Sequence, residues 1–202
     1  MRRLLVVSMA LAVTGAGAVV APAAFSAPAP AAAAATVSCP VGWGSLPEDR
    51  TGDPLQPLTG VRTGRHDCYD RIVLDVPGSS AARPVGYHVR YVPALVQDGS
   101  GATVPVAGGA ILEIVAEAPA YDPATGAVTY PARAGQPLPG VDLTGYRTLR
   151  DAKFGGSFEG RTQLGIGVRA RLPFRVFPLD GRLVVDVAHS WTATVPATAA
   201  AG

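Results

Sequence analysis

Runs in which apolar and polar residues alternate one for one dominate this chain, and that period admits strands while excluding amphipathic helices. Ile72, Leu74 and Val76 alternate with Arg71, Val73 and Asp75, and Val85, Tyr87, Val89 and Tyr91 alternate with Gly86, His88 and Arg90. Successive strand side chains point to opposite faces, so each run reads as a half-buried strand. Residues 110–117 repeat the pattern with Glu113 and Glu117 on one face. Leu164, Ile166, Val168, Ala170 and Leu172 form a long apolar face opposite Gly165, Gly167, Arg169 and Arg171, and Phe174-Arg175-Val176-Phe177 continues after Pro173. Turn-forming clusters separate the runs at Asp98-Gly99-Ser100-Gly101, Gly108-Gly109, Asp122-Pro123-Ala124-Thr125-Gly126, Gly155-Gly156 and Asp180-Gly181, the spacing of a sandwich or barrel. Asp180-Gly181 marks the clearest hairpin. A short helix or irregular crossover is expected between residues 140 and 151, and residues 155–160 read as a loop. The fold class is all-β, a sandwich of antiparallel strands.

The first 35 residues stand apart. Arg2 and Arg3 precede an apolar run from Leu4 to Val20, followed by Pro22 and an Ala-rich tract ending at Ala35. That is the layout of a secretory signal, cleaved after Ala35 or, alternatively, near Ser26. The run is too rich in Ala and Gly, and too soon followed by Pro, to read as a membrane span, although an uncleaved anchor is the competing account. The chain therefore divides into a signal peptide (1–35), a Pro/Gly-rich arm (36–60), a sandwich domain (61–191) and a C-terminal tail (192–202) expected to fray. The mature protein is expected outside the cytoplasm, in the cell envelope, with no stable membrane insertion.

Removing the signal changes the charge. Two of the 17 basic residues are Arg2 and Arg3, whereas all 15 acids lie at Glu48 or later, which leaves 15 of each sign. A balanced chain carries no basic stripe for nucleic acid. Cys39 and Cys68, two cysteines in an oxidising compartment, read as one disulfide that ties the arm to the first core strand and contributes about 3–4 kcal/mol by the chain-entropy model. The alternative, a lipidated Cys39, meets Thr36-Val37-Ser38 where a lipobox carries Leu, and it orphans Cys68. The arm is expected to be ordered by the disulfide and by Trp43.

An internal echo links two strands. Arg71-Ile-Val-Leu-Asp-Val returns about 110 residues later as Arg182-Leu-Val-Val-Asp-Val, each with Arg, an apolar residue and Asp on one face. The copies read as equivalent strands, adjacent in one sheet or one in each of two, with each Arg paired to an acid.

These residues carry a resemblance. Val61-Arg-Thr-Gly-Arg-His66, Tyr69-Asp-Arg-Ile-Val-Leu-Asp75, Gly86-Tyr-His-Val-Arg-Tyr91, Leu172-Pro-Phe-Arg-Val-Phe177 and Arg182-Leu-Val-Val-Asp-Val-Ala-His189 together resemble the AMIN-like domain of secreted actinobacterial proteins, over about residues 61–191. The resemblance implies distant similarity to the AMIN domain, a β-sandwich attached to cell-wall amidases and secretin pores, where it acts as a localisation module contacting peptidoglycan.

Catalytic constellations do not emerge. A zinc amidase needs His and carboxylate ligands with a general base, and the three histidines, His66, His88 and His189, fall on unrelated elements in no ligand spacing. No serine sits in G-x-S-x-G, and Asp98-Gly-Ser-Gly lacks the later acids of a calcium loop, so a tight turn accounts for it. The chain reads as a non-enzyme with no catalytic residue, metal or cofactor. Two binding hypotheses remain. In one, arginines and aromatics hold the carboxylates of peptide stems and stack on sugars of the wall; the candidates are Arg62, Arg65, Arg90, Tyr91, Arg169, Arg171 and Trp191, on the polar phase or at strand ends. In the other, an exposed strand edge recruits an envelope protein by strand addition.

Overall fold

Alternation becomes two antiparallel sheets packed face to face. The computed structural model describes residue 39, residues 42–52 and residues 56–191; the signal (1–35) and the tail (192–202) lie outside the described residues. The strands are β1 (Glu48–Arg50), β2 (Gly60–Arg65), β3 (Tyr69–Asp75), β4 (Tyr87–Val92), β5 (Leu95–Val96), β6 (Thr103–Val104), β7 (Ala110–Ala116), β8 (Leu149–Phe158), β9 (Arg161–Val168), β10 (Phe174–Leu179) and β11 (Arg182–Ala188). One sheet has the order β1-β4-β7-β9-β8 and the other β10-β11-β3-β2, while β5 and β6 form a separate two-stranded hairpin.

The core is the set of inward phases. Val89, Leu112, Ile114, Leu164, Ile166 and Phe154 from the five-stranded sheet meet Ile72, Leu74, Phe174, Leu183 and Val185 from the four-stranded one in a single buried cluster. Each large aliphatic side chain so buried contributes roughly 1.5–3 kcal/mol. Tyr91 on β4 reaches across to Phe174 on β10, edge to face at 5.7 Å between ring centres.

The two copies of the echo are neighbours in one sheet. β3 and β11 pair antiparallel so that Arg71 faces Asp186 and Asp75 faces Arg182. The Asp180-Gly181 hairpin joins β10 to β11 as the sequence predicts, with Gly181 at φ 73°.

Of the two forms expected between residues 140 and 151, the irregular crossover is the one present: residues 140–148 form irregular turns before β8 begins at Leu149. Several other expectations are corrected. Residues 155–158 are not a loop but the end of β8, where the register slips between Phe154 and Gly156; Gly155 is the extra residue of a bulge. Only Glu159-Gly160 turns the chain, both at positive φ (48° and 79°), as a tight type I′ hairpin requires. The outward phase of β9 is not solvent-facing. A Cβ on Gly165 would lie 2.4 Å from Leu95, and one on Gly167 would lie 1.8 Å from the Ala107 carbonyl, so these glycines admit the segment carrying β5 and β6 against the sheet. The arm is more regular than expected: β1 pairs with the edge of β4, and Gly44 bridges to Phe174.

Candidate functional site

Strand phase decides which side chains of the four-stranded sheet point outward, and register aligns them in rows. One row runs Arg175, Asp186, Arg71 and Gly64; the next runs Phe177, Val184, Val73 and Arg62. Asp186 is fully buried. Arg71 donates to its two carboxylate oxygens through Nε at 2.6 Å and Nη2 at 2.9 Å, and Arg175 donates through Nε at 2.9 Å. Hydrogen bonding to Asp186 raises the Arg71 pKa above the ordinary guanidinium value. Two guanidiniums on one carboxylate leave a positive charge uncancelled, with part of each fork free to bind elsewhere.

Aromatic rings bracket both arginines. The Arg175 guanidinium lies 4.3 Å from the ring centre of Trp43, 5.5 Å from Tyr69 and 5.1 Å from Phe177, and that of Arg71 lies 5.3 Å from Tyr69 and 5.6 Å from Phe177. Such cation–π contacts hold the planar groups without consuming their donors. His66 stacks on Tyr69 at 4.4 Å and extends the aromatic row to an exposed margin.

Trp43 comes from the arm, and three contacts deliver it. Cys39 and Cys68 are bonded, with Cα atoms 5.2 Å apart, so the arm is tied to the residue preceding β3. Gly44 bridges to Phe174, and the Glu48 carboxylate accepts the Val176 N–H at 3.1 Å. Burial holds the Glu48 carboxyl above its usual range.

The seven residues singled out by sequence divide into separate groups. Arg62 belongs to this face but is forked onto Asp75 at 2.9 Å. Arg65 lines a cleft of about 450 Å³ at the end of the sheet, with His66, Asp67, Asp70, Gly145 and Arg147. Arg90 lies on the outer face of the other sheet, paired with the buried Glu113 at 2.9 Å. Tyr91, Arg171 and Trp191 do converge. Arg171 lies 5.2 Å over the Tyr91 ring and donates to the Ser45 carbonyl, and Trp191 Nε1 donates to the Arg171 carbonyl at 2.9 Å. Tyr91 and Arg171 line a depression of about 600 Å³. The Tyr91 hydroxyl is occupied by Leu172, donating at 2.8 Å and accepting at 3.0 Å, and burial raises its pKa.

Arg169 and Arg171 do not continue a strand face. β9 ends at Val168, and beyond it Arg169 donates to the His189 carbonyl while Arg171 fastens the arm at Ser45. The face that sequence reasoning missed is Trp43, Tyr69, Arg71, Arg175 and Phe177. Its signal was the arginine phase of β3 and β10, which reads as ordinary ion pairing until the rings are seen around it.

The histidines sit on different elements: His88 on β4 of the five-stranded sheet, His66 in the β2–β3 turn, and His189 after β11 with Nε2 3.0 Å from Asp70. Among the described residues no group of three or more His, Cys, Asp or Glu gathers as metal ligands.

Two antiparallel sheets packed face to face place the chain in the class of all-β sandwich domains. More narrowly, the family model of the AMIN-like domain matches residues 56–189. The chain is a member of the AMIN-like domain family, in general one of non-catalytic, extracytoplasmic modules associated with the cell wall. No curated protein and no solved structure matches it. Among the described residues no helix is long and apolar enough to cross a membrane.

Proposed function

We propose that this protein is a secreted, non-catalytic module that binds peptidoglycan through the outer face of its four-stranded sheet. The observation that carries the reading is the clasp of Arg71 and Arg175 on Asp186, bracketed by Trp43, Tyr69 and Phe177. Rings offer flat apolar area to the faces of sugars, and the spare guanidinium donors offer forked contacts to carboxylates. Gly64 ends the Arg175–Asp186–Arg71 row without a side chain, and the His66 ring lies beside it, 3.6 Å from where a Cβ would stand. Wall polymers of alternating sugars and acidic peptide stems present both kinds of group.

Co-sedimentation with insoluble peptidoglycan tests this. The protein should pellet with the wall and release no soluble fragments, and retention should fall as salt rises past about 0.1 M, where the screening length is about 10 Å. Trp43→Ala should lower retention with the far-ultraviolet dichroism unchanged. A wild-type protein that stays in the supernatant defeats the reading. It would favour recruitment of an envelope protein, for which the edge strand β2 is one available element: among the described residues it pairs with β3 on one side and with no strand on the other.

A further inference from the structure

The cleft at the end of the binding face has a charge arrangement of its own. Asp70, on its floor, is buried and already satisfied: one carboxylate oxygen accepts the N–H groups of Thr148 at 2.6 Å and Leu149 at 3.1 Å, and the other faces His189 Nε2 at 3.0 Å. Arg65 is the opposite case. It is exposed, and among the described residues its guanidinium makes no hydrogen bond and no ion pair; its charge is felt at Asp142, where it is a minor cause of the lowered pKa after the hydrogen bonds from Thr144.

Gly145 faces that guanidinium so closely that a Cβ there would lie 2.8 Å from Arg65 Nη1, at a φ of 78°. A second guanidinium, Arg147, donates from Nη1 to the Asp67 carbonyl at 3.3 Å and keeps the rest of its fork. The Asp67 carboxylate, exposed at the same cleft, makes no hydrogen bond among the described residues.

We infer that this cleft is a subsite for a short zwitterionic peptide, its terminal carboxylate on Arg65 and Arg147 and its terminal ammonium toward Asp67. Each simpler ligand meets an opposing charge. A multiply charged phosphate would face Asp67 and, on the floor, Asp70, and a lone cation would face two guanidiniums. A ligand carrying both signs matches both, and a forked guanidinium contact suits a planar carboxylate. The inference deepens the wall reading, because His66 belongs both to the cleft and to the aromatic row through Tyr69.

The test is an NMR titration of the full protein with alanyl-alanine, its carboxyl amide and its N-acetyl derivative, following the Gly145 amide and the His66 ring. The free dipeptide should shift both signals. The amide should bind about tenfold more weakly or worse, as loss of a charge-assisted fork implies, and the acetylated form several-fold more weakly. Arg65→Ala and, independently, Arg147→Gln should each weaken the free dipeptide about tenfold while leaving signals of the opposite sheet in place. No shift at Gly145 or His66, equal binding of the amide, or wild-type titration by both variants would overturn the inference. Retention on peptidoglycan with no response to the dipeptide would remove the cleft and keep the face; dipeptide binding without retention would do the reverse.

Discussion

Replacing Asp186 by alanine should cost far more stability than replacing Asp75, although the two acids occupy matching places in the echoed strands. Both accept forked arginine bonds at 2.6–3.2 Å. Their surroundings differ: the side chain of Asp186 is 0% exposed beneath arginines at 24% and 39%, whereas Asp75 and Arg62 are 32% and 53% exposed. An exposed pair is worth about 0–1 kcal/mol, because water replaces the lost partner and salt screens it. Removing the buried member of an ion pair costs about 3–5 kcal/mol when the survivor is also buried. Here the two arginines keep partial access to water and recover some hydration, but they are left side by side with like charge. We therefore expect about 2–4 kcal/mol for Asp186→Ala against about 0.5 kcal/mol for Asp75→Ala. Urea unfolding followed by tryptophan fluorescence should show a lowered midpoint at unchanged slope, and melting should fall by about 5–10 °C more for Asp186→Ala than for Asp75→Ala. Agreement of the two variants within about 0.5 kcal/mol would refute the reasoning that burial of the clasp, not its geometry, sets its worth.

Glu159 holds a φ of 48° that Asn tolerates better, so Glu159→Asn should stabilise by about 0.5–1 kcal/mol, seen as a raised melting temperature. Removing the Cys39–Cys68 bond, whose partners are 29 residues apart, with a double serine variant should cost about 3–4 kcal/mol in chemical unfolding. Burial pushes the Tyr130 hydroxyl up to about 12 and raises those of Tyr87 and Tyr91. An ultraviolet titration should therefore find these among the six tyrosines ionising late. Because the folded state keeps protons that the unfolded chain loses near pH 10, stability should be intact below pH 10 and fall as pH rises toward about 12, a loss that Tyr130→Phe should reduce.

The core strands were legible because each needs an apolar residue at every second position to bury one face, and β3, β4, β7, β9, β10 and β11 all satisfy that demand. β8 escaped notice because its bulge at Gly155 breaks the alternation and its glycine pair imitates a turn. β1 escaped for a different reason: Glu48-Asp49-Arg50 has no apolar phase, and what fixes it is backbone pairing to the edge of β4. Gly165 and Gly167 carried no visible sign that chain would pack on them, since a missing Cβ permits close approach without announcing it. The site was legible only in fragments. Arg71 and Arg175 stand on a predictable phase, but the rings around them come from Trp43 in the arm, Tyr69 beside the disulfide and Phe177 on β10, and only the folded register brings these together.

The central claim, that the outer face of the four-stranded sheet is the surface meeting the wall, is tested most directly by oxidative footprinting of the full protein with and without insoluble peptidoglycan. Mass spectrometry of the recovered chain reads modification at each ring. Binding through this face predicts protection of Trp43, Tyr69, His66 and Phe177, with unchanged oxidation of Phe158 and Trp191, which are 52% and 53% exposed elsewhere on the sandwich. A protein that pellets with the wall yet leaves Trp43, Tyr69 and Phe177 as reactive as before, or protects Trp191 instead, would contradict it.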